Sequence, residues 1–232
     1  MKTVVLQSNY LPWKGYFDLI HDADIFIYYD EVQYTKNDWR NRNRIYTKNG
    51  LQWLSIPIGN DAVKLKISEV KLPAGQWQQQ HYKSLLLGYG KAPFFHQLKP
   101  LLEEVYINRQ WSHLSELNCF LIETISSLLE IKTVFKHSAD YILEGNRAER
   151  LVDLLKQAGA TTYISGPSAK EYLAGKESLF IENKIQLMYK DYSGYPPYKQ
   201  LGSPFENYVS IVDLLANIRL DEIKNYIWAW RK

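Results

Sequence analysis

Two hydrophobic periods alternate along the chain. Thr3-Val-Val-Leu6 is a short apolar run that stops at polar Gln7 and Ser8, and Lys14 to His21 then carries the spacing of one face of a helix. Ala23-Asp-Ile-Phe-Ile-Tyr-Tyr29 returns to a β-branched and aromatic run bounded by acidic residues, which predicts a second core strand. Strand, loop, helix and strand within thirty residues make a βαβ unit, right-handed in ~98% of cases, so both strand ends face one side. Gln7, Ser8, Asp30, Glu31 and Gln33 are thereby drawn together.

Beyond this unit, Tyr34 to Ile45 has little apolar periodicity and reads as a solvated loop. Leu51-Gln-Trp-Leu-Ser-Ile-Pro-Ile58 predicts a strand, and the alternation Leu65, Ile67, Val70, Leu72 predicts its hairpin partner with Asn60-Asp61 near the tip. From about 77 to 130 the period changes to that of helices, with Pro93 and Ser112 as starts, which predicts an inserted helical lobe. Lys132 to Lys136, Thr161 to Ser165 and Ile185 to Tyr189 complete a set of five core strands, with a helix from Arg147 to Ala158 and another from about Ala169. A helical pair, Ile211 to Ile218 and Asp221 to Trp230, closes the chain. The expected architecture is a single α/β domain over 1–232. It has an open, mostly parallel, Rossmann-like sheet, the helical insertion and the C-terminal pair.

Composition adds little to the fold and more to the function. Hydrophobic residues at 46% and charged residues at 23% are ordinary for a globular chain. The 18 Tyr and 7 Trp exceed what a core needs and point to an aromatic-lined surface or pocket. A net charge of +3, with both signs interspersed, argues against nucleic acid, although the Arg-rich and aromatic stretch leaves RNA binding as a third reading. One cysteine, Cys119, sits in a helical pattern as a small buried hydrophobe. No leader or long apolar span is present, so the expected location is the cytoplasm, without a membrane span.

The expected chemistry follows from loops at strand ends. No Gly-rich phosphate fingerprint, nucleophile elbow or paired His or Cys at metal spacing occurs, so no metal and no particular cofactor is assigned. Gln7, Ser8, Asn9, Tyr10 and Gly15 form the first candidate ligand loop, the glycine permitting close backbone approach; packing of the turn is the plain alternative. Arg40, Arg42 and Arg44 alternate, which in an extended segment puts three guanidiniums on one face, suited to phosphate or carboxylate, with Lys36 and Trp39 adding a charge and a stacking surface. A solvated loop paired with Asp38 and Asp30 competes with that reading. Ser165, Ser168 and Lys170 repeat the arrangement after a later strand. Asp30, a carboxylate at a strand end, is the candidate general base, a cap residue being the alternative.

Leu6-Gln-Ser-Asn-Tyr-Leu-Pro-Trp-Lys-Gly-Tyr-Phe17, Asp24 to Tyr34, Trp39-Arg-Asn-Arg-Asn-Arg-Ile45 and Ile56-Pro-Ile58 resemble the WbqC-like family, and the likeness runs through Gly159-Ala-Thr-Thr-Tyr-Ile164 and Ser210-Ile-Val-Asp213. Where that family often reads Gln-Pro-Tyr, this chain has Gln7-Ser8-Asn9, so a role of the proline does not carry over. The resemblance implies a part in bacterial surface-polysaccharide (O-antigen, lipopolysaccharide) biosynthesis. With the residues above it gives the expected function: a transferase on a nucleotide-activated sugar or sugar amine, amide or acyl transfer being the most specific version. The alternative is a non-catalytic ligand-binding or scaffold protein of a glycan pathway, and the expected partner is a nucleotide sugar or other phosphorylated small molecule. Gln7 to Ile20 also resembles the first loop and helix of the nucleotidylyltransferase-like superfamily. Its His-x-Gly-His element would fall on Trp13-Lys-Gly-Tyr16, of which Gly15 alone matches.

Overall fold

The computed structural model describes residues 1–231. Strand β1 (Lys2–Leu6), helix α1 (Lys14–His21) and strand β2 (Ile25–Tyr28) form the expected βαβ unit. A hairpin, β3 (Arg42–Thr47) and β4 (Gly50–Ser55), follows, then three helices, α2 (Trp77–Tyr89), α3 (Phe95–Glu103) and α4 (Leu114–Leu128). The chain re-enters the sheet as β5 (Val134–His137), crosses through α5 (Arg147–Gln157) to β6 (Thr162–Ser165), and through the short α6 (Ala169–Leu173) and α7 (Glu177–Glu182) to β7 (Gln186–Tyr189). Helix α8 (Ile211–Asn217) and a single 3-10 turn, Ile223–Tyr226, end the described chain.

All five core strands are parallel, in the order β5-β2-β1-β6-β7. The three inner strands, β2, β1 and β6, are short and mostly buried because both faces are covered, whereas the edge strands β5 and β7 leave much of their length exposed. Val4 and Phe26 face one layer, with α1, the helices of 77–128 and α8; Val5, Ile27 and Tyr163 face the other, against α5 and α7. The period-two alternation of side chains thus splits β1 and β2 between two cores. Asn146 caps α5, its side chain accepting from the N–H groups of Ala148 and Glu149 at 3.2 Å each, which ends the loop after β5 at a fixed point.

Strand order turns outward in both directions from β1: β2 and β5 lie on one side, β6 and β7 on the other. Loops leaving β1 and β6 must therefore diverge, and a crevice opens at their carboxyl ends.

The excursion between β2 and α2 differs from the expected one. Residues 65–72 are not a strand; 60–64 and 67–69 are 3-10 turns, and the segment joins its neighbours through the isolated bridges of Lys66 to Gln33 and Lys71 to His113, through backbone bonds such as Ile67 N–H to the Val32 carbonyl, and through buried Ile67 and Val70. The partner of β4 is β3, reached by a two-residue turn closed by Gly50 at φ +94°. Pro57 has no N–H to give a ladder, and a nearer strand was on offer. The last third of the expected solvated loop, from Arg42, is that strand. The final helical pair is one helix and one 3-10 turn.

Candidate functional site

The crevice at the divergence of β1 and β6 encloses about 790 Å³. One wall is the loop after β1 with Trp13 and Tyr16 of the turn into α1; the other is the Ser165 to Ala169 loop with Tyr172 and the head of α5. Residues of the excursion after β2 (Val32, Gln33, Thr35, Asp38, Arg40) form its rim, and Tyr192 approaches from the tail after β7.

Arg40 shapes the first wall. Its guanidinium donates to the Gln7 carbonyl at 3.4 Å and to Asn9 Oδ1, and lies 3.5 Å from Asp38. The Tyr16 hydroxyl reaches the same Gln7 carbonyl at 2.9 Å. The Gln7 side-chain amide makes no hydrogen bond to the described residues and is left on the crevice wall. Asp38 accepts from Thr35 Oγ1 and the Trp39 N–H, each at 2.7 Å; its carboxyl is held below the usual range despite burial, by Arg40 and by these two donors.

Asp30 lies just behind this wall and is buried. One carboxylate oxygen accepts the Ser8 N–H at 2.8 Å and the other accepts the Ser115 hydroxyl. Ser8 is itself buried, its Oγ receiving Asn118 Nδ2 at 3.3 Å. Neither lines the crevice.

The remaining candidates divide. Gln7, Asn9, Gln33, Arg40, Ser165 and Ser168 meet in the crevice. Tyr10 points the other way, into the helices of 77–128, where its hydroxyl meets His81 Nδ1 at 2.8 Å and the Tyr106 hydroxyl. The space beside Gly15 is taken by the Trp13 indole, which an added Cβ would meet at 2.2 Å, so the close approach there is by this side chain. Arg42 and Arg44 do share a face of β3, as alternation predicts, but that face carries Trp53: their guanidiniums lie 4.4 and 5.9 Å from its ring. Arg44 also donates to the Tyr208 carbonyl at 2.7 Å. Trp39 leans on Trp53, with centroids 5.7 Å apart, and Lys36 donates to Asn60 at 2.6 Å. Lys170 Nζ sits 5.3 Å from the Tyr189 ring, outside the crevice. The three arginines therefore do not converge.

Two other arginines do. Arg147 and Arg150, on the first turn of α5, line the crevice beside Tyr29 and Tyr172. In the sequence they read as the polar face of an amphipathic helix; a pair of cations three apart with no acidic residue four positions away was the available signal. Cys119 is buried, and burial pushes its thiol up. Among the described residues, no group of three or more His, Cys, Asp or Glu could hold a metal ion, and no helix is long and apolar enough to cross a membrane. A second hollow of about 520 Å³ lies under the tail after β7, where Lys190 pairs with Asp22.

The WbqC-like protein family model matches residues 7–225. The chain belongs to this family. The chain is also 45% identical over 218 residues, 94% of each chain, to "Uncharacterized protein Rv1507c" of Mycobacterium tuberculosis (strain ATCC 25618 / H37Rv). No solved structure matches the chain. The family match includes every residue that lines the crevice except Val5 and Leu6 at the end of β1.

Proposed function

We propose that this WbqC-like protein binds a nucleotide-activated sugar or sugar amine in the crevice at the ends of β1 and β6, and acts on it as a transferase of a glycan-related pathway. Family membership supports the pathway. The observation that carries the ligand class is the lining: Gln7, Asn9, Ser165 and Ser168 supply uncharged hydrogen-bonding groups, and three arginines face one carboxylate, Asp38. Hydroxyls and amides suit a sugar, guanidiniums suit phosphate, and the tyrosines offer faces for a ring.

Amide transfer is the version that asks least of the residues present. A hydroxyl acceptor needs a base, and the crevice carboxylate, Asp38, is held ionised and weakly basic by its donors. An amine arriving as the free base needs positioning next to an activated acyl carbon: the C–N bond forms, the bond to the activating group breaks and that group leaves with its electron pair, and the amine's proton goes to solvent. The same shortage of bases favours a second reading, ligand binding without catalysis.

A thermal-unfolding panel of nucleotides, sugar nucleotides and acyl adenylates tests the proposal. A true ligand at 100 times its Kd adds ~2.7 kcal/mol of stability. No shift with any of them removes the transferase reading. A shift with no amide product from a sugar amine and an activated acyl donor leaves the binding protein.

A further inference from the structure

We infer that Arg147 and Arg150 form the phosphate-binding end of the crevice, taking a diphosphate or a comparable polyanion between the head of α5 and the Ser165 to Ser168 loop. The inference deepens the proposed function and rests on the same crevice, but it concerns which residues meet the anion.

Arg40, the cation that the sequence pattern singles out, is already spent within the protein. Asp38 balances its charge at 3.5 Å, and its donors go to the Gln7 carbonyl and Asn9. Arg147 and Arg150 have no carboxylate within ion-pair distance among the described residues. Arg150 donates to the Gly145 carbonyl at 3.1 Å and meets the neutral Tyr29 hydroxyl, and its Nε is buried with no acceptor. Two like charges three residues apart on one helix repel, and a buried donor without an acceptor is costly, so a protein keeps both when an external anion answers them.

The surroundings fit an anion with many acceptor oxygens. Tyr29 meets the Arg150 guanidinium, both arginines oppose the upward push of burial on its hydroxyl, and Tyr172 lines the same crevice. Across from them Ser165 and Ser168 present hydroxyls, and Gly166 puts backbone in the wall without a side chain. Donors on both sides of a gap recognise phosphate better than a single planar carboxylate. The N–H groups at the head of α5 are taken by Asn146, so the side chains make the site.

Calorimetric titration with inorganic pyrophosphate tests this. The full-length protein should bind it, and Arg147→Gln and Arg150→Gln should each weaken binding roughly tenfold or more with a thermal midpoint, measured without ligand, that does not fall. Arg219→Gln, whose side chain pairs with Asp221 on the surface, should bind as the parent does. Absence of pyrophosphate binding, or equal binding by both crevice variants and the parent, overturns the inference. Running the sugar-nucleotide panel on the same proteins separates the two readings. Stabilisation by a sugar nucleotide that both variants retain rejects the arginine site and keeps the function. Arginine-dependent pyrophosphate binding without any sugar-nucleotide effect keeps the site and rejects the function.

Discussion

The backbone N–H of Ser8 donates to Oδ1 of Asp30 at 2.8 Å. The bond joins the end of β1 to the end of β2, and Oδ2 carries the connection on to Ser115 of α4. Asn118, one helical turn further along α4, donates to Ser8 Oγ at 3.3 Å and to the Arg40 carbonyl at 2.9 Å. Asp30 and Asn118 thus hold the crevice loop from behind, and the position of Gln7 and Asn9 depends on them.

Asp30→Asn should therefore be a stability variant first. An amide can match only one of the two donors that the carboxylate accepts, and a charged hydrogen bond of this kind is worth about 1.5–3 kcal/mol. Urea unfolding should show a loss of about 2 kcal/mol, with weaker ligand binding as the loop loosens. Full stability with abolished turnover would instead mark Asp30 as a general base.

His81 should make the fold acid-sensitive. Ser55 offers a carbonyl at 3.2 Å, which can only accept, so Nε2 carries the proton and Nδ1 accepts from the Tyr10 hydroxyl. Burial lowers the imidazole to about 4, against the opposing pull of the Ser55 bond. As pH falls from about 6.5 towards 4 the unfolded chain takes the proton and the folded one does not, so stability is lost in that window, by about 3 kcal/mol. Urea midpoints at pH 7 and pH 4.5 should differ for the parent and differ much less for His81→Gln.

The order of elements was legible from apolar runs such as Ile25 to Tyr28, because a strand covered on both faces has no polar alternation to confuse it. That β6 flanks β1 on the side away from β2 was not, since that pairing joins residues as distant as Thr3 and Tyr163. The alternation of Leu65, Ile67, Val70 and Leu72 mimicked a strand because Ile67 and Val70 are buried at the ends of a 3-10 turn. For the site, Arg42 and Arg44 obeyed the alternation, yet periodicity says only that they share a face, and Trp53 owns that face. Tyr10 and His81 are 71 residues apart, so nothing local marked Tyr10 as an anchor of the helices. Arg147 and Arg150 are distinguished from any solvated helix face by missing partners, a property that exists only in three dimensions.

Lys14 should show itself at alkaline pH. It is buried on α1 with no hydrogen-bond partner, its ammonium 4.8, 5.4 and 5.8 Å from the rings of Tyr195, Tyr198 and Phe205. Burial lowers it to about 8, with Asp213 and Asp18 pulling the other way. Above about 8 the folded state sheds a proton that the unfolded chain keeps until about 10.5, so this residue raises stability as pH rises through that interval. Taken as the difference between the parent and Lys14→Met, which cancels the tyrosines common to both, the gain from pH 8 to pH 9.5 should be about 2 kcal/mol. A difference that does not change with pH would mean that Lys14 is solvated.

The tail after β7 is fastened by a buried anion with two cations. Lys190 Nζ lies 2.8 Å from Asp18 Oδ1, Arg231 Nη1 3.0 Å from the same oxygen, and the Tyr195 hydroxyl 2.5 Å from Oδ2. Asp18 is fully buried and Lys190 nearly so, so removing the anion leaves the buried ammonium with the partly exposed Asp22 as its one carboxylate among the described residues, and Asp18→Ala should cost about 3 kcal/mol, the low end for breaking a buried pair. Lys190→Met should cost far less, because Arg231 and Tyr195 still serve Asp18 and the methionine stem fills the same path. Arg231→Met alone should be mild for the same reason. Combined, the two methionine variants leave Asp18 with a hydroxyl as its remaining partner, and the loss should exceed the sum of the separate losses by about 1–3 kcal/mol. Urea unfolding of the four proteins gives that coupling directly, and additive losses would mean that the cations act independently of Asp18.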